Sequence, residues 1–206
     1  MYQPKKYKKQ DPEYLFQFIK KHPFAAMVIN GKHLVATHIP VLVAGEDSTN
    51  FRLYSHIANH NELLEFLEDD VEVLLLFQGA HGYISSSWYQ EKDISTWNYS
   101  AVHVNAKIKI QRREELENSL KQLVSTFEKV QESPLYYEDI PKKMVEDHIP
   151  LITGFWADPF EIKGVAKLHQ TFHKEDIASV VKHLDNGNAL SKELSKDIKD
   201  ENDRSN

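Results

Sequence analysis

Residues 96–110 read TWNYSAVHVNAKIKI, and this stretch decides the fold class. From Val102 to Ile110 apolar and polar residues alternate without a break. Successive side chains of a β-strand point to opposite faces, so a period of two predicts a strand with one buried face. The apolar side of this strand comprises Val102, Val104, Ala106, Ile108 and Ile110.

Other short strands and a few helices are predicted on both sides of this stretch. Asn30-Gly31 matches a two-residue type I′ hairpin turn, which needs positive φ at both positions. There is no regular alternation of strands with helices, so the pattern predicts a mainly β (α+β) fold, an antiparallel β-barrel with peripheral helices. Strands are expected at 24–29, 33–39, 51–55, 71–77, 151–155 and 160–168, and helices at 12–22, 62–67, 113–131, 142–148 and 174–184.

The polar end of the chain predicts its domain organisation. From Asn186 onward the sequence is mostly Lys, Asp, Glu, Ser and Asn. A segment of this composition is expected to bury too little apolar surface to offset its ordering entropy. We therefore expect one domain over residues 1–185 and a disordered tail over residues 186–206.

Composition excludes several classes of function. The chain has 206 residues and no cysteine, which excludes disulfides, thiolate nucleophiles and cysteine-ligated metal sites. The net charge of −6 and the absence of a large basic cluster disfavour direct nucleic-acid binding. The apolar run at 71–77 is too short to span a bilayer, and no signal peptide is recognised, so a cytoplasmic protein is expected.

Recognised catalytic and metal-binding motifs are missing as well. Eleven histidines are present, yet none forms a His-Glu-x-x-His motif, and no metal site is predicted. No Gly-x-Ser-x-Gly, P-loop or Rossmann motif occurs, so hydrolase and nucleoside-triphosphate readings lack support.

The segment from Gly82 to Tyr99 is the strongest candidate for a binding site. It mixes two Trp, three Tyr, hydroxyls and an Asn without a regular period, which suits a planar, partly polar ligand. The alternative is an aromatic-rich loop packed under a sheet.

Three further polar groups lie where strands end. Thr37 to Pro40 closes one strand, and Ser55 to Asn61 leads into a helix start that favours an anion such as phosphate. Asn61 acting only as a helix cap is the alternative. In the third group, Lys167 and Gln170 lie at the end of the last strand, from which they can reach a negative or carbonyl-bearing ligand; the alternative, a solvated lysine, is the commoner arrangement.

Together these motifs resemble the PaiB-type FMN-binding regulators. The resemblance runs through roughly residues 1–185, and it includes Met1-Tyr2-Gln3-Pro4, Thr37-His38-Ile39-Pro40, Thr96-Trp97-Asn98-Tyr99 and Lys167-Leu168-x-Gln170. It implies a split β-barrel like that of the pyridoxamine-phosphate-oxidase group, working as a homodimer with FMN at the subunit interface. The residues that it assigns to the cofactor are Thr37, His38, Ile39, Pro40, Ser55, His56, Ala58, Asn61, Tyr83, Ser85, Trp88, Thr96, Trp97, Asn98, Lys167 and Gln170.

The chain departs from the family pattern at three places. Asn59-His60 replaces the usual arginine before Asn61, His169-Gln170-Thr171 replaces Ser-Gln-Asn, and Ser85-Ser86-Ser87 replaces Ser-Pro-Ser. The first change removes a cation that is expected to hold the flavin phosphate.

The resemblance implies a negative transcriptional regulator, and it leaves open a flavin-dependent oxidoreductase of unknown substrate. No general base or nucleophile with an oriented partner is evident, so any redox chemistry would be that of the flavin. The alternatives are a flavin-free regulatory or interaction dimer and a haem-binding split barrel.

Overall fold

The structure is a computed structural model that describes residues 1–91 and 93–203. The β-strands are β1 Lys8–Lys9, β2 Phe24–Asn30, β3 Leu34–Pro40, β4 Leu42–Ala44, β5 Arg52–Ala58, β6 Glu72–Ile84, β7 Thr96–Ile110 and β8 Ile152–Lys167. The α-helices are α1 Pro12–Lys21, α2 Arg113–Glu128, α3 Lys142–His148, α4 Lys174–Asp185 and α5 Ala189–Asp203. Short 3₁₀ helices cover Glu62–Phe66, Ser86–Trp88, Tyr137–Asp139 and Ile149–Leu151.

The chain divides into two compact units. Unit 1 comprises Met1–Phe18, Phe77–His103 and the chain from Lys163, and unit 2 comprises Ile19–Leu76 and Val104–Ile162. The long strands β6, β7 and β8 each contribute residues to both units. The single domain expected over residues 1–185 stays a prediction.

The strands form an eight-stranded sheet with the order β3-β2-β6-β7-β8-β5-β4, and β1 pairs with β8 outside this path. The register pairs Met27 with Thr37 and Leu75 on its two sides, and it pairs Ser55 with Phe155. Strand β7 buries Val104, Ala106 and Ile108, as its alternating sequence predicts. The antiparallel arrangement confirms the predicted sheet type.

The turn between β2 and β3 differs from the predicted type I′ turn. Asn30 pairs with Leu34, so the three residues 31–33 form the turn, and neither Asn30 nor Gly31 has a positive φ. Gly31 is required for close approach instead, because a Cβ there would lie 2.6 Å from the Phe66 ring. Gly31, which indicated a type I′ turn, is therefore needed because a larger residue would clash with Phe66.

Strand β8 is continuous, although the sequence predicted two strands with a break. Pro159 lies within the predicted break, and proline cannot donate a ladder hydrogen bond. It follows Ala157, which is the last residue of β8 in the register with β5.

The C-terminal segment forms α5, so the prediction of a disordered tail is wrong for the described residues up to 203. Leu194 and Ile198 are fully buried and pack in a cluster with Ile84, Val180 and Leu184 of unit 1. These two apolar residues are four positions apart and lie on one face of the helix. The average composition of the segment conceals this narrow stripe.

Membrane-spanning helices and metal-binding clusters are both absent from the described residues. No helix there combines the length and apolar character needed to cross a membrane. No group of three or more His, Cys, Asp or Glu among the same residues is arranged to hold a metal ion.

Candidate functional site

The predicted site residues fall into two sets. Thr37 to Pro40, Ser55, His56, Ala58 and Asn61 belong to unit 2, while the others belong to unit 1. We call Thr37, Pro40, Ser55, His56 and Asn61 the strand-end cluster. They lie on β3, on β5 and at the start of the 3₁₀ helix Glu62–Phe66.

Asn61 connects two elements of the strand-end cluster through its side chain. Its Oδ1 accepts a hydrogen bond from the Leu63 N–H at 3.0 Å, which makes it the helix cap. Its Nδ2 donates to Thr37 Oγ1 at 3.0 Å. The residue therefore caps the helix, as the alternative reading held, and also fixes the Thr37 hydroxyl on β3.

Ser55 and the neighbouring backbone complete this scaffold. The buried Ser55 hydroxyl donates to the Pro40 carbonyl at 2.6 Å, so its proton is committed within the protein. The Asn61 N–H donates to the Ala58 carbonyl at 2.9 Å and closes the turn. The Ile39 side chain is buried, which leaves only its backbone to meet a ligand. His38 is exposed and stacks on Phe24 at 5.9 Å.

His56 is held mainly in its neutral form. Burial lowers its pKa below the ordinary value of 6.5, because desolvation disfavours the imidazolium. At pH 7 the side chain is thus one N–H donor and one acceptor. It cannot replace the cation that the resemblance expects beside a phosphate.

In unit 1, Tyr83 and Trp97 form an exposed aromatic surface. Their side chains are 52% and 56% exposed, and their rings meet edge to face with centroids 6.3 Å apart. His81 lies 6.4 Å from Trp97. We call these three residues the aromatic cluster; large exposed rings of this kind are suited to stack on a planar ligand.

Trp88 lies outside the aromatic cluster. Its ring stacks on His183 of α4 with centroids 4.8 Å apart and an angle of 6° between the planes. Its carbonyl accepts a hydrogen bond from the Ser179 hydroxyl at 2.6 Å. Ser85 caps the adjacent 3₁₀ helix, because its side chain accepts from the Ser87 N–H. Both contacts fix the local backbone.

Lys167 and Thr96 lie together in a cleft of unit 1. The Lys167 ammonium donates to the Thr96 hydroxyl, and both residues line a cavity of about 520 Å³. Carboxylates of Glu91, Asp93 and Asp176 line the same cavity. An anionic group would meet both signs of charge there.

Gln170 is engaged by its own segment. Its Oε1 accepts from the Leu168 N–H at 2.8 Å, and its Nε2 donates to the Ala166 carbonyl at 2.5 Å. These two bonds fix the chain directly after β8. The amide of Gln170 therefore serves as a local brace in this structure.

Asn98 is fully buried and faces His169, a residue that sequence reasoning did not place in the site. Asn98 Nδ2 lies 2.6 Å from His169 Nδ1. An amide nitrogen only donates, so Nδ1 accepts and the ring proton is on Nε2. His169 was noted only as a departure from the family pattern, and its buried position was not evident from that signal.

Together with Tyr89 and Ser100, Asn98 and His169 make up what we call the buried polar cluster. Four buried atoms of this cluster have no hydrogen-bond partner among the described residues: Tyr89 Oη, Asn98 Oδ1, Ser100 Oγ and His169 Nε2. Burial, assisted by the charge of Lys167, lowers the pKa of His169 to about 4. The imidazole is consequently neutral over the physiological range.

Solved structures show the class of fold. A FAD- and heme-binding protein from Mycobacterium smegmatis superposes with a TM-score of 0.59 at 13% identity, over 84% of this chain and 79% of that one. The flavocytochrome Anf3 from Azotobacter vinelandii gives a TM-score of 0.56 at 16% identity, over 83% and 74% of the two chains. The fold is the antiparallel split β-barrel, as the sequence predicted.

The sequence itself shows the family. A family model described as "Putative FMN-binding domain" matches residues 1–163, and the chain belongs to that family. The chain is 32% identical over 188 residues to the protease synthase and sporulation protein PAI 2 of Bacillus subtilis (strain 168). That alignment covers 90% of each protein, and it confirms the resemblance to the PaiB-type proteins.

Proposed function

We propose that this protein binds FMN as a homodimer and acts as a flavin-dependent regulator of the PaiB type. Membership of the FMN-binding family supports the cofactor. The structural observation that carries the proposal is the strand-end cluster, where the Asn61 amide fixes the Thr37 hydroxyl at 3.0 Å beside a helix start. Fixed polar groups of this kind are suited to orient a ligand.

The residues fit the polar edge of a flavin better than they fit its phosphate. Thr37 Oγ1, the backbone around Ile39 and the neutral His56 provide uncharged hydrogen-bonding groups. None of the five residues of the strand-end cluster is Lys or Arg. Phosphate binding would depend on these uncharged donors and would be correspondingly weaker than with a charge-assisted arginine.

When bound, FMN would supply redox chemistry that no side chain of this protein provides. Thr37 and Asn61 of unit 2 would orient the ring. The PAI 2 protein of B. subtilis, by its name, is linked to protease synthesis and sporulation. A related regulatory role is proposed for this chain, without direct contact to DNA, in keeping with the net charge of −6.

The absorbance spectrum of the purified protein and a titration with FMN test this proposal. We expect flavin bands in the spectrum and quenching of FMN fluorescence on addition of the protein. Trp97→Ala should weaken FMN binding about tenfold, because a stacking contact is worth on the order of 1 kcal/mol. Trp88→Ala is the matched control, since its ring packs on His183 instead, and it should weaken binding less.

His56→Ala tests the strand-end cluster without changing the aromatic cluster, because it removes a neutral donor from the strand-end cluster alone. We expect a loss of affinity of several-fold, consistent with one uncharged hydrogen bond. A folded wild-type protein that leaves FMN fluorescence unchanged would overturn the proposed cofactor. Light scattering that gives a monomer mass at micromolar concentration would overturn the homodimer.

A further inference from the structure

Unit 2 contains an apolar cavity of about 700 Å³ that the proposed function does not use. Helix α2 contributes Leu120 and Val124 to its wall, and helix α3 contributes Met144 and Val145. Tyr137 and Ile140, which precede α3, also line it. The volume lies in the range of pockets that enclose small organic molecules.

The charges around this cavity limit the ligands that it suits. No Asp, Glu, Lys or Arg is among the described residues that line it. A charged ligand would lose hydration there without gaining an ion pair, which is unfavourable. The cavity therefore suits an uncharged molecule.

Most polar groups of the lining already have partners. Asn59 Nδ2 donates to the Pro150 carbonyl at 2.8 Å, and Asn59 Oδ1 accepts from the Thr153 hydroxyl at 2.7 Å. His148 Nδ1 lies 2.7 Å from the Met144 carbonyl. These bonds hold the wall and leave few sites for a ligand.

Tyr137 is different, because its hydroxyl is buried and has no hydrogen-bond partner among the described residues. Burial also raises the pKa of this phenol, so the hydroxyl stays protonated and can donate. The side chain borders two smaller cavities as well. A buried donor without an acceptor is unfavourable, and a ligand that supplied the acceptor would relieve that cost.

We propose that this cavity is a binding site for a small, uncharged, largely apolar molecule with one polar group. The apolar body would pack between Val124 of α2 and Val145 of α3. The polar group would form a hydrogen bond with the Tyr137 hydroxyl. The site consists of unit 2 residues alone, and it shares Ala58 with the residues that the resemblance assigns to FMN, whereas Thr37, Pro40, Ser55, His56 and Asn61 do not line it.

The test is a fluorescence titration of the full-length protein with N-phenyl-1-naphthylamine, an uncharged aromatic amine that fluoresces in apolar surroundings. We expect saturable binding to the wild type. Val124→Trp should fill the cavity and reduce binding at least tenfold, and Met144→Trp should act in the same direction from the other helix. Asn118→Trp is the matched control, because Asn118 is an exposed residue of the same α2 helix.

Two further measurements address the polar group and the charge. Tyr137→Phe keeps the ring and should weaken displacement of the probe by 1-naphthol, whose oxygen can accept the bond, about fivefold, which corresponds to one neutral hydrogen bond; binding of the amine, whose N–H only donates, should change little. Among competitors, 1-naphthol should displace the probe, and 1-naphthoate and 1-naphthylmethylammonium should do so at least tenfold less well. Circular dichroism shows whether each variant is folded.

Several results would overturn this proposal. The proposal is wrong if the folded wild type does not bind the probe. It is also wrong if the folded Val124→Trp and Met144→Trp variants bind the probe as tightly as the wild type does. Equal displacement by charged and uncharged competitors would also contradict it. A Soret band after addition of hemin that is lost in His148→Ala would assign the cavity to haem. Loss of probe binding on dimer formation would assign it to a second copy of the chain.

Discussion

The strand-end cluster of unit 2 and the buried polar cluster of unit 1 differ in how their polar atoms are satisfied. In the first, Asn61 bonds to both Thr37 and the Leu63 N–H, and Ser55 bonds to Pro40. In the second, Asn98 and His169 bond to each other, and each keeps a buried atom that has no partner among the described residues.

The difference has consequences for stability and for binding. A fully bonded polar group is rigid and presents its remaining atoms in a fixed direction, as a binding site requires. A partly bonded buried group lowers stability and responds to pH. Unit 1 must therefore derive its stability from apolar contacts, chiefly those between α4, α5 and β6.

The largest expected effect comes from removing one of those apolar contacts. Leu194→Ala deletes a fully buried side chain from the α5 interface. We expect a loss of about 3 kcal/mol in the free energy of unfolding, through lost burial and the cavity left behind. Urea denaturation followed by circular dichroism measures this.

Lys196→Ala on the same helix is the control, because Lys196 is exposed. It should change the free energy of unfolding by no more than about 0.5 kcal/mol. If both variants are as stable as the wild type, α5 contributes little to stability. The claim that unit 1 depends on apolar contacts to offset its buried polar cluster would then be wrong.

The second effect is the pH response of the buried polar cluster. His169 has a pKa of about 4 in the folded protein and an ordinary value of 6.5, so folding favours the neutral imidazole. Stability should be full above pH 6.5 and should fall as the pH drops toward 4. The difference in pKa corresponds to a loss on the order of 3 kcal/mol, as an upper bound.

Urea denaturation at pH 7 and pH 5 checks this, with His169→Asn as the variant. Asparagine tolerates the positive φ of 66° at this position and does not titrate there. The variant should lose most of the extra pH dependence, whereas His60→Asn, at an exposed site, should retain it. An identical pH slope in all three proteins would rule out His169 as the source.

The sequence predicted the elements whose local signals agree with their packing. The alternation in Val102–Ile110 identified part of β7, and Asn61 identified the helix cap at Glu62. The C-terminal helix was missed because its buried residues, such as Leu194, are few among many charged ones. The continuity of β8 was missed because it depends on pairing with neighbouring strands, which the local pattern around Pro159 does not contain.

The candidate site was predictable as residue types but not as environments. The sequence singled out both Trp97 and Trp88 and ranked Trp97 higher for its neighbours Thr96 and Asn98, but it did not show that Trp97 is 56% exposed while Trp88 stacks on His183. It also singled out Asn98 as a potential ligand contact, whereas the folded chain buries it against His169. Which side of a strand or helix faces a distant segment depends on tertiary contacts that a local pattern does not contain.

The third prediction tests the close packing of unit 2. Gly31→Ala would place a Cβ 2.6 Å from the Phe66 ring, so the ring must move. We expect a loss of about 2 kcal/mol in the free energy of unfolding, which is typical of overpacking. In the Phe66→Ala background, where the ring is gone, Gly31→Ala should cost less free energy of unfolding than it does in the wild type. If the losses of the two single variants simply add in the double variant, a steric cause is contradicted.

The smallest effect separates the two roles of Asn61. Asn61→Ala removes both the helix cap and the bond to Thr37, and it should cost about 1 kcal/mol in the free energy of unfolding. Asn61→Asp keeps an acceptor for the Leu63 N–H and should be nearly neutral in stability, because aspartate caps helices as well as asparagine does. It removes the Nδ2 donor that fixes the Thr37 hydroxyl, however, and should therefore weaken FMN binding by releasing that hydroxyl from its fixed direction. Urea denaturation and FMN titration of the same two variants provide both measurements. Equal stability losses in the two variants would show that the contact with Thr37, and not the cap, is the stabilising one.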